Sequence, residues 1–406
     1  MIWDDVEITI VGSGIMGALL AQAYALNGIR AGLVGRREES LKRALFIIDR
    51  ELNAAVAEKI LSPSRAGEAR ARILATTQLG LACSGKHLEI VLETATEDLA
   101  TKKEIFRSLD KLCPPRVVLA TNTSCLDAQI LARETRRPEK VVWTHYFFPP
   151  HKNRTVELAG LGLEPNGSAA ISVELMRRAG RVPFSLLKYR KGGAANVIFA
   201  ALLVEAARMV DDGYDIASIE AAAKQAFGAT VGFLGMMNAL GLPLAISCLH
   251  SFIDSSDPDD PLARIYENFF SLPASARKIF ENYSRAEDKS AVKWVAEEDL
   301  LQEPKNAILL DRLKKQFWAV AFMTASEVVD SGIIRLEDAD ALCRGAFHWT
   351  AGPFGLMNRL GVGESLALVT EKMEYSHQRE INFPVPVILI DQAGKDEPWP
   401  IENPGG

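Results

Sequence analysis

The apolar positions fall into two regimes. Up to about residue 188, short apolar runs alternate with stretches of helical period. Val6 to Val11 is mostly apolar and β-branched, which predicts a buried strand. Ile15 to Leu26 then has a helical pattern, with Gly28 as its stop. Ala31 to Gly35 reads as a second strand and Glu38 to Leu61 as a long charged helix. His87 to Thr94 is a third strand, and a helix from Glu97-Asp98 to Leu112 follows, ended by Pro114-Pro115. Val117 to Ala120, Val141 to Thr144, Thr155 to Leu158 and Val182 to Leu187 complete the strands, with helices Leu126 to Glu134 and Ala169 to Ala179 between them. This alternation predicts an α/β domain of Rossmann type, a doubly wound and mainly parallel sheet.

After residue 188 the strands stop and an all-α pattern begins with Ala194 to Val210. It contains a repeat. Met209-Val-Asp-Asp-Gly213 matches Val328-Val-Asp-Ser-Gly332, and Gly235-Met-Met-Asn-Ala-Leu-Gly241 matches Gly355-Leu-Met-Asn-Arg-Leu-Gly361, at offsets of 119 (328 − 209) and 120 (355 − 235). The expected domains are therefore 1–187, a dinucleotide-binding domain, then 188–302 and 303–406, two copies of a helical domain. Ser251 to Pro261 reads as a joining loop, and the Pro- and Gly-rich tail from Lys395 as frayed. A face that two subunits would otherwise share can be buried between the copies, so a pseudo-symmetric monomer is expected.

Composition narrows the classes. The chain of 406 residues is 48% hydrophobic and 24% charged, enough for a large core. A net charge of −6 argues against nucleic acid or an anionic membrane as the main partner. Five scattered cysteines (Cys83, Cys113, Cys125, Cys248, Cys343) form no CxxC and suit reduced thiols in the cytoplasm. Acidic Asp4 and Asp5 read against a secretory leader, and no apolar run has the length of a membrane span. No metal-ligand spacing is evident.

The chemistry begins at the first turn. Gly12, Gly14 and Gly17 stand in G-x-G-x-x-G order between strand and helix, with Ser13, Ile15 and Met16 interleaved. That order provides a tight turn, close backbone approach to a pyrophosphate, and close packing of helix on strand. The second strand ends in Gly35-Arg36-Arg37, without the acid that binds the ribose hydroxyls of NAD. Arginine there can hold a 2′-phosphate, so NADP is expected over NAD; a solvated loop is the bland alternative. His145 ends an apolar strand at the carboxyl edge of the sheet, and Glu157 interrupts the next apolar run. A carboxylate on one ring nitrogen would fix the tautomer of such a histidine. His151 competes with it on residue type alone.

Several spaced motifs together resemble the 3-hydroxyacyl-CoA dehydrogenase family: Val11-Gly-Ser-Gly-Ile-Met-Gly17, Glu93-Thr-Ala-Thr-Glu97, Thr121-Asn122-Thr-Ser124, His145 with Glu157, and Asn196. The resemblance implies that His145 is the general base for alcohol oxidation and that Glu157 orients it. It implies that Ser124 and Asn196 bond the reacting oxygen or the thioester. Glu97, Lys102 and the Asn122–Ser124 loop would lie on the nicotinamide side. On residue type alone, Ser124 and Asn196 could cap helices and Lys102 could be a solvated lysine. The chain departs from the family pattern at Gly35, at Phe148, at Lys191-Gly192-Gly193, and at Glu58, beside Lys59. The expected activity is an NAD(P)-dependent dehydrogenase of a 3-hydroxyacyl thioester, on CoA or an acyl carrier. A dehydrogenase of a free 3-hydroxy acid (sugar acid or carnitine type) and a non-catalytic dinucleotide sensor remain as alternatives.

Overall fold

The computed structural model describes residues 2–161, 166–241, 262, 269–288, 292–304 and 306–401. Cys248 and the loop expected at Ser251 to Pro261 lie outside them. Contacts divide the chain into two compact units, Met1–Lys191 and Gly192–Gly406.

In the first unit, eight strands form one sheet. They are β1 Ile8–Val11, β2 Ala31–Val34, β3 Ile73–Thr76, β4 Ile90–Glu93, β5 Val118–Thr121, β6 Val141–Tyr146, β7 Thr155–Gly160 and β8 Val182–Ser185. Their order is β3-β2-β1-β4-β5-β6-β7-β8, and every pair is parallel except β6 with β7. Helices α1 Ile15–Leu26, α2 Glu38–Ala57, α3 Pro63–Ala71, α4 Leu79–Ala82, α5 Leu99–Leu112, α6 Ala128–Ala132 and α7 Asn166–Arg178 connect them. The order reverses between β1 and β4, which opens a crevice at the carboxyl ends of those strands. Strands β1, β2, β4, β5 and β6 are buried at every position, as expected of a parallel sheet covered on both faces.

The sequence reading holds for most of this unit and fails between residues 58 and 86. There the long second helix stops at Ala57, and α3, β3 and α4 follow. Strand β3 sits at the sheet edge with only Ile73 fully buried, so it has no apolar run to betray it. Its flank Arg70-Ala-Arg72 masks it further.

The second unit contains α8 Ala195–Asp211, α9 Ile216–Phe227, α10 Phe233–Leu240, α11 Ala274–Arg285, α12 Glu297–Leu300, α13 Ala307–Asp330, α14 Leu336–Phe347, α15 Pro353–Leu360, α16 Val362–His377 and α17 Val387–Lys395. The segments that match each other in sequence make matching polar contacts. The buried Glu220 carboxylate accepts the Leu234 N–H at 2.7 Å at the start of α10, and the buried Asp340 carboxylate accepts the Gly355 N–H at 2.9 Å at the start of α15. Both acids satisfy amides that a helix start leaves unpaired. Asn238 clamps the backbone of Trp294 and Val295 with bonds of 2.7 and 2.8 Å, and Asn358 clamps Trp399 with bonds of 2.7 and 3.0 Å. The last clamp corrects part of one expectation: from Lys395 to Ile401 the chain is held through Trp399, which is buried, and the rest of the tail lies outside the described residues.

Candidate active site

Three adjacent strand ends build the site. Strand β4 leads into Glu97, β5 into Asn122-Thr-Ser124, and β6 carries His145 one residue from its end. The loops are fixed by named bonds. Asp98 caps α5 through the Thr101 N–H at 2.8 Å, and Asp127 caps α6 through the Gln129 N–H at 2.9 Å. Ser124 is therefore not the helix cap. The Trp143 indole donates to the Thr123 carbonyl at 2.8 Å, and the Asn122 amide oxygen accepts the Tyr146 N–H at 3.0 Å. Asn122 thus ties the β5 loop to the end of β6.

His145 is buried, stacked beside Trp143 and met edge-on by Phe147 at 4.6 Å. Its Nε2 lies 3.2 Å from the Ser124 hydroxyl. Burial pushes its pKa down to about 4, against the opposing pull of Glu97. The ring is therefore neutral at physiological pH and able to accept a proton. Glu157 lies directly opposite His145 in the antiparallel β6–β7 pair and is fully buried. The bond that would fix the tautomer is not formed, since Nδ1 of His145 has no hydrogen-bond partner among the described residues. The charge acting on the ring comes instead from Glu97.

Glu97 organises the loop as well. One carboxylate oxygen accepts the Thr123 hydroxyl and the N–H groups of Ser124 and Cys125, both at 3.0 Å. Its other oxygen lies 3.4 Å from Lys102 Nζ. Lys102 is not the solvated lysine that residue type alone allowed. It is only 1% exposed, and Nζ binds both Glu93 oxygens at 2.7 and 2.9 Å and the Ala95 carbonyl at 3.3 Å. Glu93 also takes the Thr121 hydroxyl at 2.7 Å, and burial raises its pKa despite Lys102. The sequence reading missed Glu93, although an acid inside the apolar run Ile90-Val-Leu-Glu93 has to find a partner.

The glycine turn fits a dinucleotide. A Cβ on Gly14 would meet nothing within 4 Å, so the protein's own packing does not ask for glycine at this exposed turn. The approach of a ligand does. On Gly17, by contrast, a Cβ would come within 1.8 Å of the Gly12 carbonyl oxygen, which explains the close helix–strand contact. Ser13, Ile15 and Met16 complete the turn into α1. Arg36 and Arg37 are exposed just past β2. His151 lies 3.5 Å from Glu51, beside α2, and is not brought to Ser124. Asn196 belongs to the second unit, in the first turn of α8, whose cap position is Ala194. Lys315, its counterpart in the repeat, pairs with Asp311 at 3.1 Å.

Known proteins agree with this description. Residues 7–188 match the family model "3-hydroxyacyl-CoA dehydrogenase, NAD binding domain", and residues 192–284 match "3-hydroxyacyl-CoA dehydrogenase, C-terminal domain". A 3-hydroxybutyryl-CoA dehydrogenase of Clostridioides difficile is 27% identical over 247 residues, 60% of this chain and 86% of that protein. The fatty acid oxidation complex subunit alpha of Shewanella oneidensis is 27% identical over 237 residues, but this chain spans only 33% of it. The crystal structure of 3-hydroxybutyryl-CoA dehydrogenase from Escherichia coli shares the fold, with a TM-score of 0.79 at 19% identity, covering 96% of this chain and 98% of that one. Among the described residues, no helix is long and apolar enough to cross a membrane. The first unit is a nicotinamide-dinucleotide-binding domain, and the chain belongs to the 3-hydroxyacyl-CoA dehydrogenase family.

Proposed function

We propose that this protein interconverts a 3-hydroxyacyl thioester and its 3-oxoacyl form, with NADP as the preferred cofactor. The observation that carries the reading is a neutral, buried His145 with Nε2 3.2 Å from the Ser124 hydroxyl, at the carboxyl end of β6 in the same sheet whose β1 leads into the glycine turn. When bound, the nicotinamide supplies the acceptor or donor of the hydride. The protein handles the proton. In oxidation, His145 takes it from the substrate hydroxyl through Nε2; in reduction, it returns it. Ser124 holds the same oxygen by its hydroxyl. The Glu97 carboxylate stabilises the imidazolium, and Glu157 backs the ring from the opposite position of the strand pair. Asn122 and Glu97 keep the β5 loop in place, and Lys102 acts through Glu97 and Glu93.

The cofactor preference rests on Arg36 and Arg37, exposed where β2 ends, and on Gly35, which offers NAD no carboxylate. One charged hydrogen bond is worth about 1.5–3 kcal/mol, hence roughly one to two decades in kcat/KM for NADP over NAD. Steady-state kinetics of a 3-oxoacyl-CoA with NADPH and NADH, beside a panel of free hydroxy acids, tests both parts. Turnover confined to free acids would overturn the substrate class. Equal use of NADH would return the arginines to solvated loop.

The same reading places the protein in the cytoplasm, in keeping with Cys83, Cys113, Cys125 and Cys343, which form no disulfide among the described residues. It takes 188–302 and 303–406 as two copies of one helical domain and the whole as a pseudo-symmetric monomer. The matched Glu220/Asp340 and Asn238/Asn358 contacts support the duplication.

A further inference from the structure

We infer that Ser13 and Ser40 are specificity-determining residues, and that the pair of hydroxyls they form is the rest of a 2′-phosphate pocket. This rests on the NADP reading given above. The Ser13 hydroxyl, in the glycine turn, donates to the Ser40 hydroxyl at 3.0 Å. Ser40 in turn donates to the Arg37 carbonyl at 2.7 Å and accepts the Arg37 N–H at 3.4 Å. The two hydroxyls therefore bridge the turn to the loop that carries the exposed arginines.

Gly35 shows what this arrangement excludes. A Cβ at that position would lie 2.7 Å from Ser13 Oγ and 2.7 Å from Leu41 Cγ. Leu41, on the inner face of α2, is buried in the core, so it can make room only by shifting its packing there. An acid at 35, the usual acceptor for the ribose of NAD, is thus shut out from two sides. Where that carboxylate would have been, the chain presents hydroxyl groups. A carboxylate only accepts and repels a phosphate. A hydroxyl can turn its hydrogen toward one. Ser40 needs only to rotate its proton from the Arg37 carbonyl to the phosphate, exchanging a neutral bond for a charge-assisted one. The arginines supply the charge; the serines supply short, directed donors that fix the phosphate against the turn.

The test uses the full-length protein and two probes, 2′,5′-ADP and 5′-AMP, titrated by calorimetry. Wild type should favour 2′,5′-ADP. Ser40→Ala should cut the ratio of the two affinities about tenfold, the loss expected for one hydrogen bond to a charged group. Ser40→Thr keeps the hydroxyl and should restore the ratio. Ser13→Ala should lower it in the same direction. If wild type favours 2′,5′-ADP and Ser40→Ala leaves the ratio unchanged, the serines merely cap the helix and this inference fails while the NADP reading stands. If wild type binds the two probes equally, the NADP reading itself fails. A second arm needs no loss of binding: Gly35→Asp alone should lower the melting temperature, and Ser13→Gly in the same chain should recover part of it. No recovery would show that Ser13 does not guard the position.

Discussion

His145→Gln should lower turnover by roughly 10²–10⁴-fold, the usual contribution of a positioned general base. Glutamine can keep a hydrogen bond to the Ser124 hydroxyl but cannot take a proton, so the variant separates holding from proton transfer. Cofactor affinity should change little, because the ring lies on β6 and the glycine turn follows β1. The pH dependence follows from burial, which sets the pKa at about 4. Above that value the ring is neutral and ready to act as base, so kcat/KM for alcohol oxidation should hold through mildly acid pH and fall only as pH approaches 4. The same group affects stability. The unfolded chain binds a proton below its ordinary value of about 6.5, whereas the folded chain does not until about 4. Its contribution is therefore complete above 6.5 and is lost as pH falls toward 4. His145→Gln should flatten that part of the stability profile. Near-normal turnover in the variant would remove His145 from the mechanism.

The sequence made the site legible where a residue's type conflicted with its surroundings. A glycine triplet between strand and helix, a histidine ending the apolar run Val141-Val-Trp-Thr144, and an acid inside Val156-Glu157-Leu158 each call for an explanation; the first follows β1, and the other two face each other across β6 and β7. What the pattern could not show was who bonds whom. Glu157 sits opposite His145 as the spacing suggested, yet among the described residues the ring's Nδ1 stays unpartnered and Glu97 exerts the charge. Cross-strand register fixes which backbones are neighbours; side-chain rotamers fix the bond. Ser124 could not be told from a cap until Asp127 was seen capping α6. Ser40 carried no signal at all, since a serine three residues into a charged stretch is the ordinary content of a helix start. Edge strand β3 was hidden for a related reason. Burying one side chain of four leaves no period to read.

Lys102→Met should destabilise the first unit by about 3–5 kcal/mol, the cost of removing one partner from a buried ion pair. Resemblance to the family put this lysine against the cofactor; its surroundings make it a structural cation first. It is 1% exposed on α5, and its partner Glu93 at the end of β4 is fully buried. Without Nζ, the Glu93 carboxylate keeps only the Thr121 hydroxyl at 2.7 Å and the Ala95 N–H at 2.6 Å. Those bonds do not offset the loss of the opposite charge. Burial already raises the pKa of Glu93, so the bare carboxyl would take up a proton more readily still. Urea titrations of wild type and variant should thus differ most at neutral pH and less as pH falls, because protonation relieves the unpaired charge. Adding Glu93→Gln should recover a large share of the loss, since a neutral amide in that place needs no counter-charge. Glu97 would lose its neighbour at 3.4 Å, and the β5 loop with Ser124 would loosen as a consequence, so kcat should drop while KM for the dinucleotide stays near its normal value. Normal stability with a raised cofactor KM would reverse the assignment and make Lys102 a direct ligand of the dinucleotide.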